Sequence, residues 1–308
     1  MTHHSNMLYI ESEQKSAYEA LIQQADLDNL TLTDDKSQAN IILADPPQIA
    51  DKLDQFPNLT WLQSTFAGVD ALVKPNLRRD YQLTNIKGRF GQLISEYVIG
   101  YTLSYFRHFE RYAEQQKAQV WQPIPYQSIQ DKTMLIIGTG SIGRHLACSA
   151  HALGFNVTGV NQSGQIESLH QFSQIMTSDQ LGDALAQADI IVNTLPKTDQ
   201  TTNLFNQEAF NRCQQALFFN VGRGDTVETQ ALLDALDKGQ VAHAFLDVFK
   251  QEPISQACPY WQHPSVTVTP HIAANSFPED VIETFVQNYQ QWSHERHLNN
   301  LVDFEKGY

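Results

Sequence analysis

Cysteine, positive charge and long hydrophobic runs are all scarce in this chain of 308 residues. The three cysteines, Cys148, Cys213 and Cys258, form no Cys-x-x-Cys pair, which argues against a disulfide framework or a zinc site and fits a reducing compartment. With 20 Lys and Arg against 34 Asp and Glu, the formal charge is −14, so no nucleic-acid partner is expected.

No segment approaches the roughly 20 apolar residues of a membrane helix. The N-terminal residues 1–6 lack the basic region and apolar core of a signal peptide. We therefore expect a soluble cytoplasmic protein with no membrane partner.

Short β-rich runs alternate with longer helical patterns along nearly the whole chain, which is typical of βαβ units and parallel sheets. Strands are predicted at residues 7–10, 40–44, 60–64, 133–137, 156–160, 190–193, 216–221, 242–248 and 266–269. Helices are predicted at 14–25 and 278–297, and one long helix is predicted from 92 to about 120. The pattern indicates an α/β protein with two doubly wound parallel-sheet domains, and the last helix could return to the first domain.

Residues 134–143, MLIIGTGSIG, place the pattern Gly-x-Gly-x-x-Gly directly between an apolar strand and a helical repeat. In such a turn Gly138 permits the tight bend, Gly140 lets the backbone approach a pyrophosphate, and Gly143 allows the helix to pack on the strand. The helix N-terminus adds unpaired N–H groups for the phosphates. A structural turn is the alternative, but the context favours a dinucleotide site. Its predicted residues are Gly138, Thr139, Gly140, Ser141, Ile142 and Gly143.

The next predicted strand ends in Asn161, Gln162 and Ser163, where the adenosine ribose of a dinucleotide would lie. An NAD site usually has Asp or Glu at this position, and an NADP site usually has Arg nearby. This sequence has neither, and no Lys or Arg occurs between Arg144 and Lys197. The cofactor is thus NAD or NADP, with a slight preference for NADP or dual use.

Three further segments each follow a predicted strand, and the carboxyl ends of parallel strands line the ligand crevice of such sheets. The first is FNVGRGD with Arg223, the second is LDVFKQEP with Asp247 and Glu252, and the third is TPHIAA with His271. Singly, each has a structural alternative: a solvated charge, a turn, or a hydrogen-bonding histidine. Together they provide a cation, a carboxylate and an imidazole beside a dinucleotide turn.

In this order the segments resemble the D-isomer-specific 2-hydroxyacid dehydrogenase family, in particular its glyoxylate/hydroxypyruvate reductases, over essentially the whole chain. Residues 64–70, STFAGVD, are similar to the substrate loop of that family. The resemblance implies a homodimeric NAD(P)-dependent oxidoreductase with its substrate in the cleft between two domains. It also implies a Rossmann domain at 99–275 and a flavodoxin-like substrate domain formed by 1–98 and 276–308.

The resemblance further implies individual roles. Arg223 would pair with the carboxylate of a small 2-ketoacid, His271 would exchange a proton with the C2 oxygen, and Glu252 would orient and charge the imidazole. Substrate contacts are also expected from Ala67, Gly68 and Val69. Further cofactor contacts are expected from Leu195, Pro196, Val221, Gly222, Arg223, Asp247, His271 and Ala273. Asp247 has a second interpretation, as a turn residue at the end of a strand.

Several alternatives stay open. A non-catalytic dinucleotide sensor would need only the glycine turn, and a 3-phosphoglycerate dehydrogenase would share the motifs. Lys87 and Arg89 are either solvated or favour a substrate with a second anionic group. His294 and His297 are read as a solvated helix face rather than a metal pair, so no metal is expected.

Overall fold

The computed structural model of the protein describes residues 5–166 and 171–307. The prediction that no signal peptide is present rests mostly on residues 1–4, which lie outside the described residues. The chain divides into two compact units, one formed by Met1–Arg89 with Ser276–Tyr308 and the other by Phe90–Asn275. Each unit is built on a parallel sheet with helices, which confirms the predicted fold class. Within the described ranges, no helix is both long and apolar enough to cross a membrane.

The strands in the described part of the chain are β1 (Asn6–Glu11), β2 (Leu30–Leu32), β3 (Ile41–Ala44), β4 (Trp61–Ser64), β5 (Gln82–Thr84), β6 (Thr133–Ile137), β7 (Asn156–Asn161), β8 (Gln174–Thr177), β9 (Ile190–Asn193), β10 (Ala216–Asn220), β11 (Val241–Leu246) and β12 (Val266–Val268). The α-helices there are α1 (Lys15–Ala25), α2 (Pro46–Ile49), α3 (Phe90–Arg107), α4 (Phe109–Lys117), α5 (Ser141–Ala152), α6 (Leu181–Ala186), α7 (Gln207–Phe210), α8 (Thr229–Asp237) and α9 (Pro278–Ser293).

In the first unit the strand order is β2-β1-β3-β4-β5, and every pair is parallel. This is the flavodoxin-like order. The central strand β3 reads IILA and is buried along its whole length, as expected for a strand covered on both faces. Helix α9 returns to this unit from the far end of the chain, where Phe285 stacks on Trp61 with ring centroids 5.2 Å apart.

In the second unit the order is β12-β11-β10-β9-β6-β7-β8, again parallel throughout. This is the Rossmann order with one added strand, and the direction of winding reverses between β6 and β9. Strands β9 and β10 are fully buried. Ligands of such sheets bind outside the carboxyl ends of the strands at this reversal, here beyond Ile137, Asn193 and Asn220.

Two helix predictions are wrong in extent. The long helix from 92 to 120 is interrupted at His108, which has a left-handed backbone with φ of 58°. After α4 the chain folds back, and the His108 ring nitrogen Nε2 lies 2.9 Å from the carbonyl oxygen of Pro125. The last helix ends at Ser293 rather than at 297, which leaves His294 and His297 beyond it.

The predicted domain boundary between residues 98 and 99 lies inside α3. The second compact unit begins instead at Phe90, the first residue of that helix. Helix α3 belongs with the second unit because it packs along α5, where His145 Nε2 lies 3.0 Å from Gln92 Oε1.

Candidate active site

The glycine turn connects β6 to α5 and has the geometry that a dinucleotide phosphate requires. Gly138 has φ of +101°, a conformation that L side chains rarely adopt. A Cβ added to Gly143 would lie 2.1 Å from the carbonyl oxygen of Gly138, so the helix packs directly on the turn. Apart from its chain neighbours, no atom of the described residues lies within 4 Å of a Cβ added to Gly140, which leaves space in front of the helix N-terminus. The residues present therefore fit a bound dinucleotide phosphate.

The end of β7, where the adenosine ribose is predicted to lie, is neutral and hydrogen-bonded. The Asn161 amide Nδ2 donates to Thr139 Oγ1 at 2.7 Å, and its Oδ1 accepts from the Gly164 N–H at 2.7 Å. Asn161 thus connects the ribose end of the site to the glycine turn. Gln162 is exposed and donates to Gln200 Oε1 at 2.6 Å. These neutral amides neither repel nor strongly attract a 2′-phosphate.

Arg223 lies on the turn after β10, half-buried, between two glycines that pack against other backbone segments. A Cβ on Gly224 would lie 1.9 Å from the carbonyl carbon of Phe249, so this turn touches the segment that carries Glu252. Arg223 Nη1 donates to the carbonyl oxygen of Gly222 at 2.8 Å. The loop packing therefore brings a guanidinium close to the predicted carboxylate.

Asp247 follows β11 and is only 2% exposed. Its Oδ1 accepts hydrogen bonds from Thr269 Oγ1 at 2.6 Å and from the Ile272 N–H at 2.8 Å, and its Oδ2 accepts from the Ala273 N–H at 2.9 Å. The carboxylate thus accepts hydrogen bonds from residues on both sides of His271 and ties the two ends of its turn together. That residue has a left-handed backbone with φ of 54°. A non-glycine residue in this region costs free energy, and here the Asp247 hydrogen bonds hold the turn in place. The structure therefore favours the turn role of Asp247, and a nicotinamide contact stays a prediction.

His271 and Glu252 form a direct pair. His271 Nδ1 lies 2.8 Å from Glu252 Oε2, and Glu252 Oε1 accepts from the Phe249 N–H at 2.8 Å. The hydrogen bond to Glu252 raises the pKa of His271 above its ordinary value, despite the opposing effects of burial and of the Arg223 charge. Burial alone would raise the pKa of Glu252, but the bonds from His271 and Phe249 together bring it below its ordinary value.

Arg223 influences both members of this pair. Its positive charge lowers the pKa of Glu252 and also acts to lower that of His271, so it lies within electrostatic range of each. The structure thus brings together the three predicted catalytic residues. The His271 side chain is 53% exposed, which leaves its second ring nitrogen available to a ligand.

The predicted substrate residues of the first unit make few contacts that indicate their role. Ala67, Gly68 and Val69 lie in the first unit, where the carbonyl oxygen of Ala67 accepts from Asn85 Nδ2 at 2.8 Å. Their role as substrate contacts stays a prediction.

The remaining candidates for substrate or metal binding make contacts within the protein that explain their presence. Arg89 pairs with Glu283 at 2.8 Å and with Asp280 at 3.4 Å, which favours a structural role over substrate binding. His294 Nδ1 lies 2.8 Å from the carbonyl oxygen of Gln290 in the last turn of α9. Over residues 5–166 and 171–307, no group of three His, Cys, Asp or Glu side chains is placed to hold a metal ion.

Three buried polar residues near Arg223 were not predicted: Asn193, Asn220 and Thr226. Asparagines at the ends of two otherwise apolar strands were the available signal. Their meaning depends on strand order and register, which the sequence alone does not contain.

Known proteins match this chain in sequence and in fold. A family model described as "D-isomer specific 2-hydroxyacid dehydrogenase, NAD binding domain" matches residues 99–273. The chain is 34% identical over 253 residues to glyoxylate/hydroxypyruvate reductase A of Serratia proteamaculans, which covers 79% of each protein.

Two solved structures are similar over almost the whole chain. A D-isomer specific 2-hydroxyacid dehydrogenase family protein from Aeromonas salmonicida has a TM-score of 0.93 and 41% identity, covering 98% of this chain and 100% of that one. An NADPH-dependent glyoxylate/hydroxypyruvate reductase from Sinorhizobium meliloti, in complex with NADP and sulfate, has a TM-score of 0.86 and 25% identity, with the same coverage.

Proposed function

Because the chain belongs to the D-isomer specific 2-hydroxyacid dehydrogenase family and is an NAD(P)-dependent oxidoreductase, we propose that it reduces small 2-ketoacids at C2 to 2-hydroxyacids. Glyoxylate and hydroxypyruvate are the first substrates to test, since the Serratia and Sinorhizobium relatives carry those names. The observation that carries the proposal is the His271–Glu252 hydrogen bond of 2.8 Å within the field of Arg223.

The three side chains divide the reduction between them. Arg223 pairs with the substrate carboxylate, because a guanidinium binds planar anions through two parallel donors. His271 donates a proton to the C2 oxygen, which would otherwise become an alkoxide as C2 is reduced. Glu252 orients the imidazole and raises its pKa, which keeps the acid form populated toward neutral pH. The bound nicotinamide cofactor supplies the hydride.

For the cofactor we propose NADP or dual use. The neutral amides at Asn161 and Gln162 support this, because no carboxylate there would repel a 2′-phosphate. The Sinorhizobium relative is named as NADPH-dependent. In this chain, however, no Lys or Arg lies between residues 144 and 197, so attraction of the 2′-phosphate would be weak.

We also propose a cytoplasmic homodimer. The three cysteines form no disulfide in the described structure, which supports a reducing location. After α4 the chain exposes large aromatic side chains, including Trp121 at 99% and Tyr126 at 60%, and Phe109 within the helix is 55% exposed. Exposed aromatic side chains of this size are enriched at protein–protein interfaces. Light scattering of the purified protein would give the mass, and a monomer at micromolar concentration would contradict the dimer.

The test of function is a steady-state assay of NADH and NADPH oxidation with glyoxylate, hydroxypyruvate, pyruvate and bulkier 2-ketoacids. Turnover of one or more small 2-ketoacids is expected, together with production of the D-2-hydroxyacid where the product is chiral. Tight cofactor binding without turnover of any 2-ketoacid would contradict the proposal and favour a dinucleotide sensor.

A further inference from the structure

Three buried polar side chains lie between the predicted cofactor and substrate residues of the second unit. Asn193 ends β9 and Asn220 ends β10, and these two residues are paired in the register of the sheet. Thr226 follows Arg223 on the next turn. Asn193 and Thr226 are 0% exposed and Asn220 is 1% exposed. We call Asn193, Asn220 and Thr226 the amide network.

The hydrogen bonds of the amide network converge on the backbone of Arg223. Asn193 Nδ2 donates to Asn220 Oδ1 at 2.8 Å and to Thr226 Oγ1 at 2.8 Å, which uses both of its amide hydrogens. The Arg223 carbonyl oxygen accepts from Asn220 Nδ2 at 3.1 Å and from Thr226 Oγ1 at 2.7 Å. Two side chains thus hold one carbonyl group.

The same network also holds the predicted cofactor loop. Asn193 Oδ1 accepts from the Leu195 N–H at 3.1 Å. The two loops are in backbone contact as well, because a Cβ on Gly222 would lie 2.6 Å from the carbonyl oxygen of Leu195. One buried amide therefore links the loop at Leu195 to the loop at Arg223.

Burying three polar side chains is unfavourable unless their hydrogen bonds are made, and apolar residues of similar size would fill the same space without that requirement. A position that needs only packing has no need of such groups. The hydrogen bonds of these three residues instead fix the position of Arg223. Its guanidinium can bind the substrate carboxylate productively only at a set distance from the reacting carbon.

We propose that Asn193, Asn220 and Thr226 are positioning residues, which fix Arg223 relative to the cofactor loop so that its guanidinium meets the substrate carboxylate. The proposal rests on the proposed function, and it adds three buried residues that act through Arg223. The proposal predicts that loss of the network weakens ketoacid binding more than cofactor binding, because cofactor affinity depends mainly on the glycine turn.

The test uses Thr226→Val, which removes the hydroxyl while nearly keeping the volume. The Arg223 carbonyl then loses one donor and Asn193 loses one acceptor. We expect KM for the best 2-ketoacid to rise about tenfold, as for loss of one buried hydrogen bond of ~1.4 kcal/mol. The Kd of NADPH, measured by fluorescence, should stay within about twofold of the wild type. Thr226→Ser restores the hydroxyl and should restore KM.

The control is Thr102→Val. Thr102 is also 0% exposed, but its Oγ1 donates at 2.7 Å to the carbonyl oxygen of Val98 within α3. This variant should lower Tm without changing KM. If Thr226→Val only lowers Tm in the same way, or raises the Kd of NADPH as much as KM, the positioning role is refuted while the proposed function stands. If the wild type reduces no 2-ketoacid, the proposed function fails and this proposal fails with it.

Discussion

Alanine substitutions at Gly140 and Gly143 should have different effects. The change at Gly143 should lower the stability of the fold, whereas the change at Gly140 should weaken cofactor binding. In the structure a Cβ on Gly143 lies 2.1 Å from the Gly138 carbonyl oxygen, about 1.4 Å inside the ~3.5 Å at which non-bonded atoms attract. Overpacking of this kind costs about 1–3 kcal/mol, and a backbone carbonyl cannot rotate away. The upper end of this cost therefore applies, and after the ~1 kcal/mol gained by alanine in a helix about 2 kcal/mol of destabilisation remains, so we expect Gly143→Ala to lower Tm by about 4–8 °C.

Gly140→Ala should behave differently. Gly140 has φ of −71° and ψ of −165°, which any residue adopts, and within the part of the chain that the structure describes its added Cβ meets no atom within 4 Å beyond its chain neighbours. The Tm without cofactor should therefore change by no more than about 2 °C, since the loss of a good N-cap residue and the reduced entropy of the unfolded chain roughly cancel. The methyl group instead occupies the space beside the predicted pyrophosphate. The Kd of NADPH is expected to rise about tenfold or more, and NADPH should no longer raise Tm as it does for the wild type.

These values can be measured by NADPH fluorescence titration and by thermal unfolding with and without cofactor. Gly100→Ala is the matched control, because Gly100 is an exposed residue of α3 whose added Cβ also meets nothing within 4 Å. It should leave the Kd unchanged and raise Tm slightly. Wild-type affinity for NADPH in Gly140→Ala would refute the placement of the pyrophosphate on this turn.

Four further predictions concern the side chains of the site. His271→Ala and Arg223→Ala should each lower turnover by several orders of magnitude with little change in Tm, and near wild-type rates in either variant would remove its assigned role. Glu252→Gln removes the carboxylate that raises the pKa of His271, so the loss of reductase activity with increasing pH should begin at lower pH; an unmoved pH–rate profile would dismiss this role. The pair itself should stabilise the fold most between the ordinary pKa values of Glu and His, 4.5 and 6.5. Its contribution is lost as pH rises through the raised pKa of His271 and as pH falls through the lowered pKa of Glu252, which urea unfolding across this range would show. Gln162→Arg should lower the Kd of NADPH about fivefold relative to that of NADH at low salt, and an unchanged ratio would place the 2′-phosphate elsewhere.

The strands that the sequence pattern predicted most closely include those that are buried on both faces. Strands β3, β6, β9 and β10 are mostly apolar and were expected within one or two residues of their observed bounds. The strands that the pattern missed, β2, β5 and β8, all lie at sheet edges. These three strands are only three or four residues long and partly exposed, so their alternation of polar and apolar residues is hard to distinguish from a loop. The fourth edge strand, β12, is equally short but was predicted, because its sequence Val-Thr-Val consists of β-branched residues.

For the site, the order of motifs was enough to nominate Arg223, Glu252 and His271, because each follows a strand of a parallel sheet. The contacts that position these residues could not be read in the same way. Asn193 and Asn220 are neighbours only because β9 and β10 pair in one particular register. A hydrogen bond across two strands is a property of that register, and an asparagine at the end of a strand is equally common in a simple turn.

The two carboxylates around His271 show how environment assigns different work to similar groups. Asp247 is buried, and protein donors engage both of its oxygens, so it acts on the backbone and holds the imidazole's turn in a left-handed conformation. The side chain of Glu252 is 35% exposed. One of its oxygens accepts a hydrogen bond from the Phe249 N–H, and the other pairs with the ring nitrogen Nδ1 of His271. Asp247 also raises the pKa of His271 through its charge, but the hydrogen bond to Glu252 is the larger cause. Both oxygens of Asp247 already accept from Thr269, Ile272 and Ala273, so they do not accept from the ring as Glu252 does. The position of the acid is therefore set mainly by Asp247, and its protonation state mainly by Glu252.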